Sequence, residues 1–254
     1  MKTIKRIEGK FLMLRTIYFY IFLWVGLLLT LPAILAVEIV NIFSKAGSEA
    51  LSQKTARIWG RSVVALSGSS VQVKGLENIP ETGPVLFISN HQSNFDIPLL
   101  LGYLNRPVGF LSKEEMRKVP IVGRWMRHLN CVFMDRSNPR AALKSIGKAV
   151  ETVKNGHSMC VFPEGTRSGS ESMGEFKPGA FKIHTKSKVA LLPVAIEGTW
   201  RIQGKDSMGV KSANVKVSVL NPVDLEGIPL RDTAKIAEKV KGEIQKELKS
   251  LTRK

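Results

Sequence analysis

Two short clusters in this 254-residue chain combine residue types and spacings suited to acid–base and anion chemistry. The first is Asn90-His91-Gln92-Ser93-Asn94-Phe95-Asp96. One loop or helical turn can return an Asp against a His five positions before it. The carboxylate then accepts a hydrogen bond from one imidazole nitrogen and leaves the other free as a base. As a pattern alone His-x4-Asp is weak, because chance supplies it often, so its setting must carry it. The second cluster is Phe162-Pro163-Glu164-Gly165-Thr166-Arg167-Ser168. Gly165 allows close backbone approach, while Thr166 and Arg167 offer hydroxyl and guanidinium donors to an oxyanion. Glu164 is suited to fixing the Arg or binding a substrate hydroxyl. The competing reading of this segment is a solvated turn with a surface ion pair. Two further features are basic: Lys113 with the stretch Arg117–Arg127, and Arg136 in Phe133-Met134-Asp135-Arg136. Taken singly, each reads more readily as a solvated face than as a ligand.

Both clusters directly follow predicted strands, Val85–Ser89 and Met159–Phe162, and α/β folds place their sites just beyond the carboxyl ends of strands. Further strands are expected at Val71–Val73, Cys131–Met134, Leu191–Ile196 and Val215–Leu220, alternating with amphipathic stretches, so the pattern predicts a sheet covered by helices. Asn138-Pro139 reads as an N-cap and first helical position, with Gly156 closing that helix. Lys235–Leu248 has a charged helical pattern.

Several chemistries find no support. There is no G-x-S-x-G elbow, and the nearest approach to a P-loop, Gly174 to Gly179, continues with Ala180-Phe181 in place of Lys-Ser/Thr. Neither H-x-x-x-H nor C-x-x-C occurs, so no metal site is expected. His128, His157 and His184 lack an acidic partner at motif spacing and read as structural or surface residues. Cys131 and Cys160 lie in apolar runs and read as buried, reduced thiols.

The chain is long enough for one large domain or two small ones, and its 44% apolar content excludes a disordered or collagen-like chain. Its net charge of +17 points to polyanions without separating nucleic acid from an anionic membrane or a phosphorylated substrate. The N-terminus does separate them. Thr16–Val37 is a run of 22 residues without a charge, long enough to cross about 30 Å of hydrocarbon as a helix. Basic residues precede it (Lys2, Lys5, Arg6, Lys10, Arg15), and Tyr18, Tyr20 and Trp24 suit an interfacial end. A signal peptide has a shorter apolar run and a small-residue cleavage site, and core helices seldom stay uncharged this long. Pro32 should kink or end the helix. Beyond it Leu51, Ile58, Trp59, Val63 and Leu66 share one arc of a helix, and Lys54, Arg57 and Arg61 another, which suits a membrane surface. Both flanks of the run are positive, so a re-entrant helical pair in one leaflet fits as well as a crossing. The organisation expected is a membrane-associated helical segment over 1–69 and a catalytic domain over 70–254.

The ordered blocks resemble the lysophosphatidate acyltransferase family, the bacterial PlsC-like 1-acylglycerol-3-phosphate acyltransferases. His91 to Asp96 matches its H-x4-D block, Phe133 to Arg136 resembles the second, Phe162 to Ser168 matches F-P-E-G-T-R-S, and Leu192-Pro193-Val194 with Glu197-Gly198-Thr199 resembles the fourth. The resemblance implies an α/β fold, a glycerolipid-acyltransferase-like mixed sheet covered by helices and preceded by an N-terminal membrane-embedded helical pair. It implies acyl transfer, without an acyl-enzyme, from acyl-CoA or acyl carrier protein to the sn-2 hydroxyl of lysophosphatidic acid, giving phosphatidic acid. His91 would be the general base and Asp96 would orient it. Glu164, Gly165, Thr166 and Arg167, with Lys113 and Arg136, would bind the phosphate. No cofactor beyond the thioester co-substrate is implied. The expected partners are membrane lipids and the two substrates, and the expected location is the cytoplasmic face of the cell inner membrane. Glycerol 3-phosphate, a lysophospholipid or a lyso-aminolipid is the alternative acceptor. A basic membrane-anchored binding protein is the rival from another class, but no nucleic-acid module is recognisable.

Overall fold

The computed structural model describes residues 2–253, with side chains from Gly9 onward; the basic flank expected at Lys2, Lys5 and Arg6 lies outside the described side chains. The sheet has seven strands: β1 (Ser70–Lys74), β2 (Val85–Ser89), β3 (Gly109–Lys113), β4 (Val132–Met134), β5 (Met159–Val161), β6 (Ala190–Glu197) and β7 (Asn214–Val219). Their order is β1-β7-β6-β2-β5-β3-β4, and every adjacent pair is parallel except β6–β7. Five neighbouring strands, β2 to β6, therefore deliver their carboxyl ends to one edge. The fold is the expected mixed α/β sheet. Six strands lie within a residue or two of their expected positions. β3 does not announce itself: it opens on Gly109, ends on Lys113 and shows no alternation.

All five residues of β2 are buried, as in a strand covered on both faces. Val85 and Phe87 point into one core with α4 (Asp96–Tyr103); Leu86 and Ile88 point into another with α6 (Pro139–Lys154) and α9 (Thr233–Thr252). The α6 cap is the expected one: Asn138 accepts from the backbone N–H groups of Arg140 and Ala141, Pro139 follows it, and Gly156 takes φ +95° beyond the last turn. Shorter helices α5 (Val122–His128), α7 (Lys182–Ser187) and α8 (Thr199–Ile202) complete the domain.

The N-terminal 66 residues form α1 (Lys2–Leu28), α2 (Leu31–Phe43) and α3 (Lys45–Leu66). The helix breaks at Leu29-Thr30, and Pro32 falls in the first turn of α2, where its missing N–H costs nothing. The segment Gly9–Phe43 contains an 18-residue window of mean hydropathy 2.3 and is long and apolar enough to cross a membrane. Its outward face exposes Tyr18, Ile21, Trp24, Val25 and Leu28, while Phe19 and Leu27 are buried against the domain. An apolar surface of this extent makes the segment a candidate for membrane association.

The structure departs from the amphipathic pattern expected for α3. Its buried stripe is Ser48, Ser52, Ala56 and Gly60, with Val63 and Val64, and it packs on α4. Ile58 and Leu66, expected on the apolar arc, are exposed. Backbone proximity is the reason: a Cβ at Gly60 would lie 2.5 Å from the Pro98 carbonyl oxygen, and one at Gly102 would lie 2.9 Å from the Arg61 nitrogen. Small residues, instead of large apolar ones, set this contact.

Candidate active site

The central strand β2 ends at Ser89, and Asn90 fastens the chain beyond it. Its side chain donates to the Ile196 carbonyl and accepts from the Ile196 N–H, each at 2.8 Å, extending the sheet by one side-chain rung. The loop then turns so that Asp96, first residue of α4, comes back beneath His91. His91 Nδ1 lies 2.7 Å from Asp96 Oδ2. That same oxygen accepts from the backbone N–H groups of Gln92 (2.7 Å) and Ser93 (3.0 Å), and Oδ1 accepts from the Thr199 hydroxyl at 2.5 Å. Asp96 has no solvent exposure, so these four donors replace its water. A carboxylate accepting at Nδ1 requires the proton on that nitrogen and leaves Nε2 with a lone pair. The ring lies flat on Phe162, centroids 4.1 Å apart at 16°, which fixes its plane. The side chain keeps 16% exposure and is reachable from outside.

The neighbouring strands supply the supports. From the end of β5, buried Glu164 accepts from the His91 backbone N–H through Oε1 and from the Gly174 N–H through Oε2, both at 2.7 Å. Glu164 therefore holds the His91 loop, and the pairing with Arg167, one of the two roles suggested for it, is not formed. Burial pushes its carboxyl above the usual range, although the two amides and the nearby His91 pull it back. Ser168 and Gly169 add backbone N–H bonds to the carbonyls of His91 and Gln92. From the end of β6 come Thr199 and Gly198, whose N–H donates to Gln92 Oε1 at 3.0 Å. Gly198 has φ +102°, and a Cβ there would sit 2.5 Å from the Asn214 carbonyl oxygen, so the turn requires glycine. Thr199 and Phe162 belong to motif blocks, but nothing in their spacing marks them as partners of Asp96 and His91.

The basic residues lie on the same edge. Lys113 ends β3, Asp135-Arg136 follows β4, and the Arg136 guanidinium donates to the Gly165 carbonyl. Gly165 has φ +75°, a left-handed conformation that favours glycine. Among the described residues, the side chains of Lys113, Thr166 and Arg167 make no hydrogen bond or ion pair. Arg117–Arg127 does not form a continuous basic face: Arg117 pairs with Glu114, Trp125 is buried against α2, and Arg124 approaches Glu38 at 3.7 Å. The histidines outside the site do meet acids across the chain, His128 with Glu38 (3.9 Å) and His157 with Glu49 (3.8 Å). Burial raises both thiols, Cys131 to about 12 and Cys160 further, which leaves them inert as nucleophiles. An apolar cavity of about 380 Å³ adjoins Phe162, with Arg136 and Lys177 among its lining residues.

A family model described as Acyltransferase matches residues 70–197, half of the chain. The chain belongs to the acyltransferase family. It is similar to a chloroplastic 1-acyl-sn-glycerol-3-phosphate acyltransferase of Arabidopsis thaliana, 35% identical over 170 residues, covering 66% of this chain and 47% of that protein. A 1-acyl-sn-glycerol-3-phosphate acyltransferase of Pseudomonas aeruginosa is 37% identical over 139 residues, 54% of this chain and 52% of the relative. The chain thus spans about half the length of such curated relatives. The crystal structure of the 1-acyl-sn-glycerophosphate acyltransferase PlsC from Thermotoga maritima superposes with a TM-score of 0.85 at 29% identity, covering 100% of this chain and 99% of that one.

Proposed function

We propose that this acyltransferase moves a fatty acyl group from the thioester of acyl-CoA or acyl carrier protein to the sn-2 hydroxyl of 1-acyl-sn-glycerol 3-phosphate, forming phosphatidic acid. The observation that carries this reading is the 2.7 Å His91 Nδ1–Asp96 Oδ2 contact in a histidine that is still reachable from outside. Its free Nε2 takes the proton of the sn-2 hydroxyl, and the oxygen attacks the thioester carbonyl. As the tetrahedral intermediate collapses, the C–S bond breaks and the imidazolium returns the proton to the departing sulfur. Buried Asp96 stabilises that transient imidazolium, and no protein nucleophile is needed. Arg167, Thr166 and Lys113 supply donors for the phosphate. Gly165 and Arg136 shape the adjoining turn, and Glu164 anchors the loop. The apolar cavity beside Phe162, with its cationic rim, fits a thioester carrying an acyl chain and an anionic carrier.

The division into a membrane-associated segment (1–69) and a catalytic domain (70–254) follows the same reading, with the site on the cytoplasmic face of the inner membrane. Contacts to the domain run from Thr16, whose hydroxyl accepts from the Val210 N–H at 3.1 Å, to Thr30, whose hydroxyl accepts from Trp125 Nε1 at 2.8 Å. About 21 Å of helix therefore lies along the domain. A full crossing would carry the domain's polar loops into hydrocarbon, where their backbone groups find no partners. This supports a pair held in one leaflet. Cysteines placed at Lys2 and Lys45 should then be labelled from the same side; labelling from opposite sides would exclude it.

The deciding experiment is an in vitro assay of purified protein with acyl-CoA and acyl carrier protein donors and a panel of acceptors. Lysophosphatidate should be acylated far faster than glycerol 3-phosphate, a lysophospholipid or a lyso-aminolipid. Preference for another acceptor would replace the substrate assignment, and no transfer at all would overturn the reading.

A further inference from the structure

The membrane-facing helix reaches into the support of the His91 loop. Ser93, fully buried, donates through its hydroxyl to the Gln203 carbonyl at 2.9 Å, and Asn94 Nδ2 donates to Gln203 Oε1 at 3.2 Å. Gln203 Nε2 donates in turn to the Tyr20 hydroxyl at 2.7 Å. One residue earlier on α1, Phe19 packs on Phe95, with centroids 5.4 Å apart; Phe95 immediately precedes Asp96. Gln203 also ends the short helix that carries Thr199, the partner of Asp96, and the Gln203 N–H donates to the Thr199 carbonyl. Thr16, one turn before Tyr20, accepts from the Val210 N–H at 3.1 Å and fixes the position of α1 along this loop.

The geometry points to Tyr20 as a positioning residue that acts through Gln203 to hold the His91–Asp96 loop in its reactive conformation. Gln203 is almost fully buried, so its amide has no water to fall back on, and its orientation is set by its protein partners. Its two side-chain atoms are used at once, by Asn94 on the loop side and Tyr20 on the helix side. Removing the Tyr20 hydroxyl leaves a buried N–H without an acceptor and frees the amide to rotate, which loosens the grip on Asn94. The opposite face of α1 at this level leaves Tyr18, Ile21 and Trp24 exposed, the face proposed above to meet the membrane. The helix that contacts the membrane is thereby a part of the catalytic support, and the loop is fully ordered only when α1 is seated. As a statement about catalysis this rests on the acyl-transfer reading above; as a statement about the loop it does not.

The test uses Tyr20→Phe, which keeps the ring, with exposed Asn94→Ala as its partner in a double-mutant cycle. Three readouts are taken on full-length protein in phosphatidylglycerol-containing vesicles: kcat and KM for both substrates, the unfolding midpoint, and amide exchange of Gln92 and Ser93. Tyr20→Phe should lower kcat about threefold to tenfold, the size expected from one buried hydrogen bond. Both KM values should stay near wild type, and the unfolding midpoint should fall by only a few degrees, about 2–4 °C for each kcal/mol lost. Exchange at Gln92 and Ser93, whose amides bond Asp96, should accelerate by a similar factor. The double variant should lose less than the product of the single losses. Wild-type kcat together with wild-type exchange in Tyr20→Phe would overturn the inference, as would fully multiplicative effects. If the wild-type protein transfers no acyl group, the functional reading fails while the exchange measurement still decides the role of Tyr20.

Discussion

Asp96 Oδ2 accepts three hydrogens at once, from His91 Nδ1 and from the backbone amides of Gln92 and Ser93. One oxygen thus sets the tautomer of the base and the turn of the loop that carries it. The amide of Asp96→Asn can offer an oxygen to that position only by turning its NH2 towards Thr199, and it carries no charge to stabilise an imidazolium. Acyl transfer in Asp96→Asn should fall by about 10²- to 10⁴-fold, as expected when general-base catalysis is disabled. Activity within a factor of a few of wild type would remove Asp96 from the mechanism.

Thr199 supplies the donor to the other Asp96 oxygen. In Thr199→Val the side-chain volume is nearly conserved while a fully buried carboxylate oxygen loses its donor, a loss of about 1–3 kcal/mol. The unfolding midpoint should drop and turnover should fall with it. Thr199→Ser, which keeps the hydroxyl, should restore both. Calorimetry alongside the transfer assay checks this, and equal behaviour of the Val and Ser variants would count against the role.

Arg167 lies one turn beyond Glu164 with its guanidinium uncommitted among the described residues. Arg167→Ala should raise KM for lysophosphatidate by about tenfold or more, the worth of a charge-assisted bond, with little change in KM for the thioester. Equal effects on the two substrates would argue against phosphate binding.

Two groups, half-buried His184 and buried Glu164, give stability opposite pH signs. His184 donates from Nδ1 to the Val189 carbonyl at 2.9 Å, and burial lowers its pKa below the ordinary 6.5. The unfolded chain takes up a proton there that the folded chain refuses. This contribution to stability is complete above 6.5 and is lost as pH falls through the lowered folded value. Glu164, whose pKa is raised above 4.5, works the other way: its contribution is complete below 4.5 and fades as pH rises through the folded value. In denaturant unfolding over about pH 5 to 7.5, His184→Gln should lose stability less steeply than wild type on the acid side. An unchanged slope would mean that His184 is not the responsible group.

Much of this was legible along the chain. Six strands could be placed because short apolar runs between turn residues have few alternatives, and α6 because its cap and its closing glycine are local chemistry. β3 was missed: strand identity there comes from neighbours β4 and β5, not from Gly109–Lys113 itself. The face of α3 that packs is not marked by its large apolar residues, whose arc reads along the chain as a side suited to a membrane surface. Here close approach to α4 selects Ser48, Ser52, Ala56 and Gly60 instead.

The sequence by itself determined the class of fold, the apolar N-terminal segment and the identity of His91 and Asp96 as a pair, since a block that one turn can close follows a predicted strand and stands in order with the other blocks. Only the tertiary structure decided that Thr199 completes the Asp96 shell, that Glu164 grips the His91 backbone instead of Arg167, that Phe162 sets the imidazole plane, and that Tyr20 connects to the loop through Gln203. The physical reason is the parallel order β6-β2-β5. It brings Glu164, 73 residues beyond His91, and Thr199, 103 residues beyond Asp96, to either side of one loop, and no local pattern encodes which polar atoms face a buried carboxylate.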